Sequence, residues 1–367
     1  MNKENIGIYI HVPFCAKKCP YCDFYTTQFN KDVAQKYTKA IIRNMKAYEN
    51  KYVADTLFFG GGTPSLLTYD ICKIVNVAKE IFTLNNAEIT IEVNPRTVND
   101  NLLSAFLDCG INRISFGVQS LNENELKTLG RNHTPLDPIN EIEKAKSIGF
   151  ENISADLMLG IPHQTKQSVI SSINSLIKSG VTHISAYMLQ IEENTPFYEN
   201  GVEKICPSEE ETAELYLTAV EELNKNGFYQ YEISNFAKPN FESKHNLKYW
   251  EQKEYLGFGA SAHSFIDNTR FAVTSSVNEL IENEFQKTYI TDEQAGTKEE
   301  YEMLSLRLSK GLKKEVIAQK YGDDEWQRLC KNAKSIKPEY INVTNEKISL
   351  TPNGFLVSND LIAKIIF

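Results

Sequence analysis

The 367-residue sequence predicts an α/β protein, a partial (β/α)6 TIM-like barrel followed by a C-terminal helical, winged-helix-like domain. Three observations predict it. Six β-rich runs alternate with stretches of helical periodicity, which implies a parallel sheet with right-handed crossovers. Polar or glycine-rich segments follow nearly every one of those runs rather than a single one, which favours a barrel over a doubly wound sheet. Beyond Pro207 the alternation stops. Full closure would take eight strands, so six describe an open barrel.

The first unit is the run Ile6 to Val12 and, after a cysteine-rich loop, a helix over Lys31 to Tyr48 with Val33, Tyr37, Ile41, Met45 and Tyr48 on one face. The second strand, Thr56 to Phe59, runs into Gly60-Gly61-Gly62-Thr63-Pro64 and a helix over about Tyr69 to Phe82. Glu88 to Val93 is the third, closed by Asn94-Pro95 and followed by a helix over about Asn99 to Cys109. Arg113 to Phe116 is the fourth, with a helix over about Leu136 to Ile148 behind it. Asn152 to Met158 and His183 to Leu189 complete the six, with a helix to about Lys178 between them. Past Pro207 come a helix over Ser208 to Lys225, a strand at Tyr229 to Ile233 and an aromatic-rich irregular stretch through Phe265. From about Thr297, two helical runs, a strand at Lys347 to Leu350 and a helix from Pro352 suggest the small final domain. The expected limits are 1–206 for the barrel, 207–290 for an extension and 291–367 for the C-terminal domain.

Apolar residues make up 41% and charged residues 24%, values of an ordinary globular chain without a disordered tract. The formal charge of −9 argues against a nucleic-acid partner, whose phosphates require clustered Lys and Arg. No segment reaches about 18 apolar residues, and the N-terminal run is too short for an export signal, so a cytoplasmic location is expected.

Three of the seven cysteines crowd into Cys15-Ala-Lys-Lys-Cys19-Pro-Tyr-Cys22. The spacing C-x3-C-x2-C directly after a strand reads as a metal loop rather than a disulfide framework. Three thiolates cannot close a four-iron cube, and such a site leaves one iron open to an outside ligand. Lys17 and Lys18 would ease thiolate formation. A structural zinc would need a fourth ligand, for which His11 is the candidate. Cys72 and Cys109 fall in apolar helical patterns and read as small core residues.

Together with its flanks, Tyr9-Ile-His11-Val-Pro-Phe-Cys15 through Tyr21-Cys22-Asp-Phe24, the loop resembles the radical-SAM superfamily. Within it the likeness is to the oxygen-independent coproporphyrinogen III oxidase-like branch and its haem-chaperone group. The motifs GGGTPS, EVNP, RISFGVQS, LGRNH, DLMLGIP, YEISNFA, HNLKYW and GFGASAH recur in order over most of the chain.

The resemblance implies a [4Fe-4S] cluster on Cys15, Cys19 and Cys22, with S-adenosylmethionine (SAM) on its open iron. It places Tyr9 and Tyr21 beside the adenosine and cluster, and Gly61, Gly62 and Thr63 in the turn against the methionine moiety. Glu92 would meet the SAM amino group, while Gln119, Arg131 and Asp156 would lie around its carboxylate and ribose. Spacing alone would make Arg131 a surface ion-pair residue. A reduced cluster would pass one electron to the sulfonium of SAM and generate a 5′-deoxyadenosyl radical. No catalytic residue follows beyond these.

The oxidases carry a further cysteine two residues after the third cluster ligand, where this chain has Phe24, and a substantial segment ahead of the first strand. Both differences favour a haem chaperone that binds haem and passes it to acceptor proteins, respiratory ones among them. The alternative is oxidative decarboxylation of coproporphyrinogen III, and an RNA-modifying enzyme is disfavoured by the acidic balance. An electron donor such as flavodoxin or ferredoxin is implied, with at most peripheral membrane contact. His245, Asn246, Tyr249 and Trp250 match the group's haem signature. A lone His among aromatics is otherwise a satisfied structural residue, and Cys206 and His263 are weaker ligand candidates.

Overall fold

A computed structural model describes residues 5–367. The six expected strands form a parallel array in chain order: β1 (Ile6–Val12), β2 (Ala54–Gly61), β3 (Glu88–Val93), β4 (Arg113–Gln119), β5 (Asn152–Leu159) and β6 (His183–Met188). The helices between them are α1 (Lys31–Lys46), α2 (Asp70–Phe82), α3 (Asp100–Asp108), α4 (Leu136–Ile148) and α5 (Lys166–Ser179). Strand alternation explains the layering. Ile6, Ile8, Ile10 and Val12 join the main apolar core, while Gly7, Tyr9 and His11 point to the opposite face.

That inner face is unusually polar for a barrel lumen, with buried Thr56, Glu88, Arg113, Ser154 and His183. Its partners come from the segment after α6 (Glu209–Lys225), where the sequence reading expected irregular chain. The stretch is ordered instead. β7 (Tyr229–Gln230) and β8 (Asn235–Ala237) extend the sheet antiparallel beyond β6, and α7 (Lys244–Trp250) inserts against the lumen. β9 (Tyr255–Phe258) returns to pair parallel with β1, and β10 (His263–Ile266), β11 (Thr269–Val273) and β12 (Thr288–Asp292) add an antiparallel flank. Among the described residues twelve strands thus share one sheet. Of the six outside the parallel array, β7 falls within the expected strand at Tyr229 to Ile233, and the other five were missed because each is three to five residues long, too short to show periodicity.

The α7 insertion is held by charge. Glu88 accepts from the backbone N–H groups of Lys244 and His245, at 3.2 and 3.1 Å, in the first turn of that helix. Lys248 pairs with Asp55 at 2.7 Å and donates to the Asn5 carbonyl at 2.8 Å.

The C-terminal part has α8 (Lys298–Leu306), α9 (Lys314–Tyr321) and α10 (Asp323–Ala333), one helix more than the periodicity suggested. A three-stranded antiparallel sheet includes β13 (Lys347–Leu350), and two short helices follow. No helix among the described residues is long and apolar enough to cross a membrane.

Candidate functional site

The carboxyl ends of the parallel strands open into a cavity of about 980 Å³. Cys15, Cys19, Cys22, Tyr21, Gly61, Gly62, Thr63, Glu92, Gln119, Arg131 and Asp156 all line it, so residues spread over 142 positions of sequence meet in one space. The three thiols are half-buried, and burial pushes Cys15 and Cys22 up in pKa; Lys18 pulls the other way but does not outweigh it. Among the described residues no three His, Cys, Asp or Glu side chains converge as a single ion requires. A four-iron cube takes each thiolate on a different iron and needs no such convergence. His11 is not available as a zinc ligand. Its Nδ1 is bonded to the Tyr9 hydroxyl at 3.0 Å and its Nε2 to the Tyr25 carbonyl at 3.1 Å.

The glycine turn lies tightly against the cysteine loop. A Cβ on Gly62 would sit 2.7 Å from the Phe14 carbonyl oxygen and 3.0 Å from Cys15 Sγ. Gly61, at φ +115°, would bring one to 2.7 Å from the His11 ring. Only glycine permits this approach.

A polar relay links the strand ends. Arg131 donates to Cys19 Sγ at 3.6 Å, to the Gly117 carbonyl and to Asn94 Oδ1 at 2.8 Å. Asn94 donates to Thr63 Oγ1 at 2.8 Å, and Thr63 donates to Cys15 Sγ at 3.8 Å. Arg131 is therefore no surface ion-pair residue but a half-buried group touching the metal loop, and its buried Nε is left without a partner. Hydrogen bonds to cluster sulfurs are a principal way a protein tunes such a centre.

Two enclosed carboxyls face the cavity. Burial, reinforced by nearby Asp156, pushes Glu92 up to about 8, against the pull of the Gly61 N–H that it accepts at 3.3 Å. Burial raises Asp156 too, which accepts from the Ser115 hydroxyl at 3.3 Å. A carboxyl in this state is prepared for an incoming cation or donor. Gln119 reaches the cavity from a local irregularity at the end of β4, with φ +69°, and accepts from the Tyr187 hydroxyl.

Sequence reasoning missed Asn94, Tyr187 and His133, although EVNP and LGRNH contain two of them. Nothing in the spacing marks Asn94 as the joint between Arg131 and Thr63. His133 is buried with Nε2 unpartnered, and burial followed by the Arg131 charge holds it down at about 4.

Other expected residues lie elsewhere. Tyr9 is beneath the cavity, stacked on Phe58 and His245. His245, the expected haem ligand, lies in the lumen. It is 1% exposed, with Nδ1 bonded to Thr56 at 2.8 Å and Nε2 to Tyr249 at 2.8 Å, and burial lowers it to about 3. The ring has no free nitrogen for a metal. Of its motif only Asn246 lines the cavity; Tyr249 packs edge-on to Tyr255, and Trp250 ends α7. Cys206 lines a separate space of about 350 Å³ with His163, and His263 begins β10.

An open parallel barrel with a three-thiol loop, a glycine turn and buried carboxyls at its strand ends defines a radical-SAM protein, and the Radical SAM superfamily profile matches residues 9–176. The HemN C-terminal domain profile matches residues 299–357. The heme chaperone HemW of Bacillus subtilis is 35% identical over 96% of this chain and 97% of its own length. That of Lactococcus lactis is 31% identical over 100% and 98%. The chain belongs to the HemW family. The solved structure of the Escherichia coli coproporphyrinogen III oxidase HemN superposes with a TM-score of 0.82, covering 99% of this chain and 90% of that one. At 22% identity it shows the shared fold.

The family implies a [4Fe-4S] cluster and SAM, and the residues present fit them. Three half-buried thiols share one loop, the Gly62 backbone packs against that loop where a Cβ would clash, and Arg131 Nε is buried without a partner beside two enclosed carboxyls.

Proposed function

We propose that this protein is a haem chaperone whose cavity holds the cluster on Cys15, Cys19 and Cys22 and SAM against Gly61 to Thr63, Glu92, Gln119, Arg131 and Asp156. One observation carries the reading: a single cavity joins the three thiols to a rim that is both apolar and cationic. Phe24, 67% exposed, and Met188, 37% exposed, line that rim with the exposed side chains of Lys17, Lys18 and Arg96. A haem offers a broad apolar face and two propionates, which match these groups in turn. The volume, at the upper end of the ~300–1,000 Å³ typical of small-molecule sites, is ample for a ligand the size of SAM.

Within the cavity each residue has a separate task. Arg131 presents its unpartnered Nε to the SAM carboxylate while its other nitrogens hold the metal loop. Glu92 takes the amino group and gives up its proton as it does so. Asp156 accepts from ribose hydroxyls. When bound, cluster and SAM supply one-electron radical chemistry. Haem-acceptor proteins and a one-electron donor of the flavodoxin or ferredoxin class follow as partners. The seven free thiols support a reducing, cytoplasmic compartment.

The test is an anaerobic haem titration of the full chain, with coproporphyrinogen conversion measured in parallel. A shifted Soret band, weakened about tenfold or more in a Lys17→Glu, Lys18→Glu, Arg96→Glu variant at equal iron content, is the expected result. Absence of haem binding, or robust conversion of coproporphyrinogen, overturns it.

A further inference from the structure

Two cysteines that the sequence reading assigned to the core as unrelated residues meet. Cys72 lies in the first turn of α2 and Cys109 caps the end of α3. They meet at one carbonyl: Ala105 accepts from the Cys109 backbone N–H at 3.0 Å and from the Cys72 thiol at 3.4 Å, and both thiols are half-buried rather than sealed in the core. Each thiol also donates to a carbonyl of α3, Cys72 to Ala105 at 3.4 Å and Cys109 to Phe106 at 3.3 Å. Neither lines the cluster cavity, so the pair is no part of the site described above.

We propose that Cys72 and Cys109 are a two-electron thiol–disulfide site, oxidised by a small disulfide of the glutathione class. Sharing the Ala105 carbonyl holds the two residues side by side at one helix end, so little backbone movement is needed to join their sulfurs. The pairing also divides the labour. The two thiols titrate as a pair, Cys72 lowered beside Cys109 and Cys109 raised beside Cys72, so the first proton leaves more easily, and the second less easily, than from separate thiols. The Lys79 ammonium, 2.7 Å from the Cys109 carbonyl oxygen, favours that first ionisation further. Cys15 and Cys22, by contrast, are driven up by burial and are reserved for metal.

The chemistry balances in two displacements. One protein thiolate attacks a sulfur of the small disulfide; a protein–glutathione S–S bond forms and one glutathione thiolate leaves. The second protein thiolate then attacks the protein sulfur of that mixed disulfide, forming the Cys72–Cys109 bond and expelling the second glutathione. The protein gives up two electrons, and its two protons go to the two leaving thiolates. The product staples the first turn of α2 to the end of α3. Since the single 3-10 turn Pro64–Leu67 joins the glycine turn to α2, the staple anchors the segment that leads out of the turn touching Cys15.

The full-length, cluster-loaded protein is exposed anaerobically to oxidised glutathione, quenched in acid, alkylated and mapped by mass spectrometry. The expected result is a Cys72–Cys109 cross-linked peptide, a loss of two hydrogens per chain and an unchanged cluster absorbance. Cys109→Ser should stop at a stable glutathione adduct on Cys72, and Cys72→Ser at one on Cys109. Two free thiols after exposure, or a lasting glutathione adduct on the wild-type protein without cross-link, would overturn the proposal.

Discussion

Replacing Glu92 by Gln should stabilise the SAM-free protein and at the same time impair SAM binding. Glu92 ionises near 4.5 when unperturbed and near 8 in the fold, mainly because it is enclosed. Between those two values the folded chain holds a proton that the unfolded chain has lost. Stability therefore falls as pH rises through this window, and the cost is fully present above it. At about 1.4 kcal/mol for each tenfold change in acidity, ionised Glu92 costs roughly 5 kcal/mol, and the protonated form at neutral pH roughly 3 kcal/mol. The cavity side of the carboxyl is open to water, which reduces these figures to about 2–3 kcal/mol at alkaline pH. Glutamine retains the oxygen that accepts from Gly61 but carries no charge. Urea unfolding of both proteins without SAM, at about pH 5, 6.5 and 8, should show a gap that is small at the acid end and widens with pH. SAM affinity should fall by about 10–100-fold, the worth of a charge-assisted hydrogen bond. A gap independent of pH, or a variant less stable than wild type at alkaline pH, would refute the reasoning.

Gly62→Ala places a methyl 3.0 Å from Cys15 Sγ and should lower iron content after reconstitution by at least about half, with the far-ultraviolet circular dichroism unchanged. Arg131→Lys keeps the charge but loses the fork that spans Asn94, Gly117 and Cys19. It should weaken SAM binding by about tenfold or more and shift the cluster potential, measured by redox titration. His245→Phe removes bonds to Thr56 and Tyr249 inside the lumen. It should cost about 2–4 kcal/mol of stability while leaving haem bound per folded chain unchanged; a lost Soret shift in the folded fraction would restore His245 as a ligand.

The parallel core was legible because long strands alternate with amphipathic helices, and each of the six runs stands where periodicity placed it. The segment from β8 to β12 was not, since its strands depend on pairing that begins at β1 and β6 rather than on local pattern. At the site, the cysteine loop was readable from spacing alone, whereas Glu92, Gln119 and Asp156 became candidates only through ordered motifs. Asn94 could not be found that way, as its role exists only once Arg131 and Thr63 arrive from distant strands. His245 is ambiguous in sequence for the opposite reason. A histidine among aromatics suits both a ligand and a packed core residue, and only the two occupied ring nitrogens tell them apart.

The most direct test of the account is iron analysis and electron paramagnetic resonance of the anaerobically reconstituted, dithionite-reduced protein beside Cys19→Ser. The account predicts about four iron atoms per wild-type chain, a reduced-cluster signal that changes when SAM is added, and loss of both in the variant. A wild-type protein that retains no cluster, or a Cys19→Ser protein with the same iron content and the same SAM-dependent signal, would contradict it.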